Sequence, residues 1–138
     1  MNTPLASRLD PIRILLVDDF APFRKALRHD LELFPILTIV GEAGDGRAAV
    51  ERAAALQPHL VIMDANMPRL SGAEATRRIK RIHPSIHVIA VSLDDNGLTR
   101  EAMRIAGCAA FVAKECAHTL PRVIEQVMGM RVVDETTG

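Results

Sequence analysis

Five short apolar runs recur at nearly even spacing, over residues 12–17, 37–40, 60–63, 88–91 and 109–113, and the stretches between them are long enough for helices. Those stretches carry a periodicity of their own. Phe23, Leu27, Leu31 and Phe34 fall three or four residues apart in the first, Ala49, Val50, Ala53 and Ala54 in the second, and Ala75, Ile79 and Ile82 mark one stripe of the third. Leu98, Ala102, Met103 and Ile105 mark the apolar side of a fourth helix over residues 97–105; Leu120, Val123, Ile124 and Val127 mark that of a fifth over residues 119–128. Strands that are apolar throughout need cover on both faces, and right-handed crossover helices supply it. The expected architecture is one α/β domain, a doubly wound parallel sheet of five strands alternating with five helices.

Local signals agree with that alternation. Pro22 suits the first turn of a helix, Asp45 and Ser71 are of the type that caps helix starts, and Pro58 and Pro84 close helices before the next strand. The domain is expected over residues 11–130, after an N-terminal extension (1–10) and before a loose tail or linker start (131–138).

Composition narrows the function classes. A chain of 138 residues can bury roughly two thirds of the surface its unfolded form exposes, enough for one core. Its 17 basic and 17 acidic side chains cancel, leaving no net field to hold a nucleic-acid backbone, so direct nucleic-acid binding by this segment is not expected. Cys108 and Cys116 form neither a CxxC pair nor a disulfide framework, which fits a reducing cytoplasm. The N-terminus lacks a charged-then-apolar signal pattern and no apolar run approaches bilayer length, so neither secretion nor a membrane is expected.

In an open parallel sheet, ligands sit beyond the carboxyl ends of the strands. Here the first strand ends in Asp18 and Asp19, the third in Asp64, the fourth in Ser92 and the fifth in Lys114, all on one edge. A single strand-end aspartate is more often a turn former or helix cap, and a lone lysine or serine is usually just solvated; it is the ordered set that points to chemistry. Three carboxylates in one crevice repel by on the order of several kcal/mol per pair at an effective dielectric of about 20. Lys114 offsets part of this, and a hard divalent cation such as Mg²⁺, with oxygen ligands that include the main-chain oxygen of Asn66, would balance the rest. Such a set supports phosphoryl transfer to Asp64.

The runs ILLVDDF, VIMDANMPRLSG, VIAVS and GCAAFVAK resemble the receiver domains of two-component response regulators, over about residues 12–128. The resemblance implies the flavodoxin-like strand order 2-1-3-4-5. It implies that Asp64 is the phosphoacceptor, served by a sensor histidine kinase, and that Asp18 and Asp19 organise Mg²⁺ or Mn²⁺ together with Asp64 and the Asn66 carbonyl. Ser92 takes the family's hydroxyl position, Lys114 its lysine position, and Phe111 the place of the rotating aromatic that fills the space Ser92 vacates on phosphorylation. That repacking would shift the surface formed by the fourth helix, fifth strand and fifth helix. A second copy of the chain is a further candidate partner in the phosphorylated state.

Two positions depart from the commonest pattern: Leu93 stands where a small residue is frequent, narrowing access to Asp64, and Glu115 stands where many members have proline. The missing proline, with DDFAPFRKALRHDLE and the GEAGDG turn, resembles the subgroup that precedes a LuxR-type helix-turn-helix output domain, so transcription control through a segment outside this sequence is one expectation and a stand-alone regulator another. An aspartyl-nucleophile phosphatase is a third reading, disfavoured because the position two residues after Asp64 holds Asn66 and not an acid. A pure interaction domain that no longer accepts phosphate is a fourth, against which the intact acidic set argues. Gly41, Gly44 and Gly46 have neither phosphate-loop spacing, and the five histidines are scattered without ligand spacing on any helix.

Overall fold

A computed structural model describes residues 10–94 and 96–133; the expected extension before Asp10 and the tail after Val133 lie outside the described residues. Strand and helix alternate as β1 (Ile12–Val17), α1 (Ala21–Leu31), β2 (Leu37–Ala43), α2 (Gly46–Leu56), β3 (Leu60–Asp64), α3 (Gly72–Ile82), β4 (His87–Ser92), α4 (Gly97–Ala106), β5 (Ala110–Ala113) and α5 (Leu120–Met128), with a 3₁₀ turn (Lys114–Thr119) before α5. All paired strands are parallel, in the order β2-β1-β3-β4-β5. This is the five-stranded doubly wound sheet that the apolar runs require.

Alternate residues of each strand point to opposite faces, and the two faces are packed differently. Ile14 and Leu16 of β1, with Ile62, Ile89, Leu120 and Ile124, belong to a core of large aliphatic side chains under α1 and α5. Leu15 and Val17 instead join Val61, Met63 and a set of small residues, Ala49, Ala53 and Ala75, under α2 and α3. Small residues let the backbones come close: a Cβ at Gly72 would collide with the carbonyl of Asp64, and one at Gly46 with that of Leu70. The loop that follows Asp64 is thereby pressed against its neighbours.

The helix starts follow their caps. Asp45 accepts from the amide of Ala48 (2.8 Å) and Ser71 from that of Glu74 (3.1 Å), while Pro22 sits in the first turn of α1.

Several expectations need correcting. Strand β2 continues three residues past Val40, because Gly41 and Glu42 pair with β1 although neither is apolar. Ala54 is exposed beside the buried pair Ala49/Ala53, and Ile82, although on one stripe with the buried Ala75 and Ile79, is the last residue of its helix and is exposed too. On α4 only Met103 and Ala106 are buried; Leu98 and Ile105 are 85% and 70% exposed, so the helix meets its neighbours through one narrow ridge. The chain after Met130 is not loose from its first residue: Val132 is buried in the aliphatic core, and Glu125 Oε1 accepts from the amides of Val132 and Val133, both at 3.0 Å.

Candidate functional site

Asp18 and Asp19 follow β1, Asp64 ends β3, Ser92 ends β4 and Lys114 follows β5, so the parallel sheet delivers all five to one rim. Asp18 and Asp64 are 3% and 2% exposed, whereas Asp19 is open to solvent. One carboxylate oxygen from each of the three can lie within 4.8 Å of the others. Lys114 Nζ stands 2.6 Å from Asp18 Oδ2 and 3.6 Å from Asp64 Oδ2. The ammonium also lies over the ring of Phe23, 4.7 Å from its centroid, so α1 helps to fix it.

Each buried carboxylate is tied to the turn that follows it. Asp18 Oδ1 accepts from the amide of Phe20 (2.8 Å), and Asp64 Oδ1 accepts from that of Asn66 (3.0 Å). The second oxygen of Asp18 is buried, faces Lys114, and has no hydrogen bond of good geometry. A buried oxygen left in that condition, next to two further carboxylates and only one ammonium, is a donor set for a hard cation. Burial pushes the Asp64 carboxyl up to about 7 from an ordinary 3.8, and the charge of Asp18 and a hydrogen bond with Asp19 add to the rise. The Asn66 amide and the Lys114 charge pull the other way and do not win. Above this rim opens a cleft of about 600 Å³, lined by Asp19, Phe20, Phe23, Asp64, Asn66, Leu93, Lys114 and Glu115.

Residues 14–126 match the family model described as the response regulator receiver domain. The chain belongs to that family. Among curated relatives, the receiver is 43% identical over 113 residues to protein-glutamate methylesterase/protein-glutamine glutaminase 4 of Myxococcus xanthus, covering 81% of this chain and 32% of that protein. It is 34% identical over 122 residues to the response regulator GacA of Pseudomonas viridiflava, covering 88% and 55%. The chain thus spans about a third to a half of the length of these relatives. Among solved structures it resembles the signal receiver domain of NarL from Mycobacterium tuberculosis, with a TM-score of 0.82 at 25% identity, covering 88% of this chain and 99% of that one. The response regulator domain of Thermotoga maritima CheB gives 0.77 at 35% identity, covering 90% and 98%.

In this receiver, Ser92 is fully buried, and its hydroxyl donates to Asn66 Oδ1 and accepts from the amide of Asp94 at 3.0 Å. Asn66 therefore touches both sides of the site, with its amide on Asp64 and its side chain on Ser92. Phe111, three residues before Lys114 on β5, is partly buried against the small-residue core, and the guanidinium of Arg100 on α4 lies 4.5 Å from its ring centroid. Leu93 lines the cleft at 80% exposure, at its mouth and not across its floor. Phe23, expected only as core, also cradles the lysine; its place one helical turn beyond Asp19 was the available signal. Among the described residues no helix is long and apolar enough to cross a membrane. Neither cysteine is paired in a disulfide, Cys108 partly buried and Cys116 exposed.

Proposed function

We propose that this receiver is a phosphorylation-dependent switch in which Asp64 accepts a phosphoryl group from the phosphohistidine of a sensor histidine kinase. The observation that carries the reading is the convergence of Asp18, Asp19 and Asp64 on one point beside Lys114, at the floor of an open cleft. A carboxylate oxygen of Asp64 attacks phosphorus, the phosphorus–nitrogen bond of the donor breaks, and the leaving imidazole takes up a proton, so an acyl phosphate replaces a phosphoramidate. Lys114 moves from pairing two carboxylates to pairing the new phosphoryl oxygens. The carboxylates of Asp18, Asp19 and Asp64, with the main-chain oxygen of Asn66, would hold Mg²⁺ or Mn²⁺, which would neutralise the transferring group's charge.

Ser92 and Phe111 convert that charge into a surface change. With a phosphoryl group on Asp64, the Ser92 hydroxyl exchanges Asn66 for a phosphoryl oxygen and turns inward, and Phe111 follows into the space released, leaving Arg100 and altering the α4–β5–α5 face. The receiver acts in the cytoplasm, which the two unpaired cysteines fit, and its output is transcription control through a segment outside this sequence. That output is supported by likeness to a LuxR-family regulator from Aurantimonas, with a TM-score of 0.82 at 28% identity. A response regulator acting alone through protein contacts is the competing reading, and a second copy of the chain is a candidate partner of the phosphorylated form.

Incubation with acetyl phosphate and Mg²⁺ followed by intact mass measurement tests the chemistry. One added phosphoryl group is expected, absent in Asp64→Asn and strongly reduced without metal; an unchanged mass for the unmodified protein would refute phosphoacceptance.

A further inference from the structure

We infer that Arg24, which touches none of the three site carboxylates, is a positioning residue that holds the turn after β1 in its metal-binding shape, with Glu42 of β2 as its anchor; this rests on the phosphoacceptor reading above. The β1–β2 ladder ends at Val17 and Ala43, with one further bond from the Asp18 amide to the Ala43 carbonyl at 3.0 Å. Past that point the sheet no longer dictates where the chain goes, yet Asp18 and Asp19 must both aim at one cation.

Arg24 supplies what the ladder lacks. Its Nη1 donates to the main-chain oxygen of Asp18 at 2.6 Å, and its Nε donates to Glu42 Oε1 at 2.7 Å. Glu42 stands beside Leu16 in the register of β1 and β2, and its other oxygen accepts from Arg28 Nη1 at 2.6 Å. Both side chains of the central pair are largely buried, 19% and 22% exposed. The hydrogen bond from Arg28, followed by that from Arg24, holds the Glu42 carboxyl below the usual carboxylate range despite its burial. Asp18 is therefore gripped at its amide by β2, at its carbonyl by Arg24 and at its side chain by the Phe20 amide and Lys114.

The choice of arginine has a geometric reason. A planar guanidinium presents diverging donors to two acceptors at once, whereas an ammonium is a point donor on a flexible stem. Glu42 has an electrostatic role as well: it engages the Arg24 charge, which would otherwise compete with a cation for the nearby carboxylates. Outer partners of this kind orient metal ligands without touching the metal.

The test uses the whole chain as the unmodified protein, Arg24→Ala and Arg24→Lys. Mg²⁺ affinity is measured by amide chemical shifts of Asp19 and Asn66, and thermal unfolding is followed with and without Mg²⁺. Arg24→Ala is expected to weaken Mg²⁺ binding about tenfold and to shrink the rise in melting temperature that Mg²⁺ produces, with Arg24→Lys in between. A merely structural brace would lower the melting temperature equally with and without metal and leave the Mg²⁺ affinity of Arg24→Ala within about twofold of the unmodified protein, a smaller loss than outer partners of a metal produce; that result overturns the inference. Should Arg24→Ala not fold, Arg24→Lys decides, since an affinity equal to that of the unmodified protein would show that the double contact is not needed. Failure of the unmodified protein to bind Mg²⁺ would instead bring down the metal-assisted reading, and this inference with it.

Discussion

The centre of the site rim and its outer side are built on opposite plans. At the ends of β1 and β3, Asp18 and Asp64 are buried, each bonded to the following turn, with Lys114 between them and the Gly72 backbone pressed on the Asp64 carbonyl. Beyond β4 the opposite holds: α4 buries only Met103 and Ala106, and leaves Leu98 and Ile105 in solvent. An element with few buried apolar contacts opens and shifts at lower free-energy cost than a packed one. In the proposed switch, the chemistry that needs fixed geometry would sit on the packed side, and the surface that changes with phosphorylation on the loosely attached side. Strand β5 and the turn after it span both, with Phe111 against Arg100 of α4 and Lys114 beside the carboxylates only three residues later.

The largest effect should come from removing the charge at the centre. Lys114→Met leaves Asp18 and Asp64 facing each other without a cation, and is expected to destabilise the metal-free protein by about 3 kcal/mol, since breaking a buried ion pair strands a charge. Phosphorylation by acetyl phosphate should slow by roughly 10²-fold, the usual cost of losing one preorganised charge partner. Mg²⁺ should recover much of the stability and little of the rate. Chemical denaturation with and without metal, together with mass-resolved phosphorylation kinetics, checks both; equal losses of stability with and without Mg²⁺ would break the contrast between the two sides of the rim.

Next in size is a pH dependence confined to the centre. The Asp64 carboxyl is raised to about 7 in the fold from 3.8, so the folded state binds more protons than the unfolded state between those values. The stability this gives is fully present below about pH 4 and is lost as pH rises through 7, on the order of a few kcal/mol in the metal-free protein. Unfolding measured from pH 5 to pH 8 should show that fall, and Asp64→Asn should flatten it. A cation must displace the proton, so Mg²⁺ affinity should climb roughly tenfold from pH 6 to pH 8. A flat metal affinity over that range would mean that Asp64 is already ionised.

Much of this contrast was open to a reader of the sequence, and the part that was not has a physical cause. Strand ends bearing Asp18, Asp64 and Lys114 could be recognised because apolar runs stop abruptly at charged residues that the sheet then brings together. Glu42 and Arg24 could not, because they lie 18 residues apart and only the packing of α1 against β2 joins them. The fourth helix misled for another reason: Leu98 and Ile105 look like core residues by type, yet a helix that touches the sheet through one ridge leaves such residues outside. Val132 was hidden too, since its burial depends on Glu125 folding back the chain after α5.

Ser92→Ala lies at the boundary between the two plans and should give a moderate effect. The hydroxyl is buried and bonded to Asn66 and to the Asp94 amide, so its loss should cost about 1 kcal/mol of stability. Phosphoryl incorporation should persist while the chemical shifts of Phe111 and α4 no longer respond to it. If α4 still responds fully, the repacking does not run through Ser92.

The smallest effect is expected at Leu93, where β4 hands over to the loosely held side. Its side chain lines the cleft at 80% exposure, so Leu93→Ala should leave unfolding free energy within about 0.5 kcal/mol. If the leucine narrows the approach to Asp64, acetyl phosphate should react roughly twofold faster in the variant, a change of about 0.4 kcal/mol in the barrier. A kinase that docks against Phe20 and Leu93 would lose apolar contact at the same time. The two donors should then respond in opposite directions, one gaining access and the other losing a foothold; a parallel change with both would place the influence of Leu93 on the aspartate itself and erase the boundary drawn between a rigid centre and an adaptable edge.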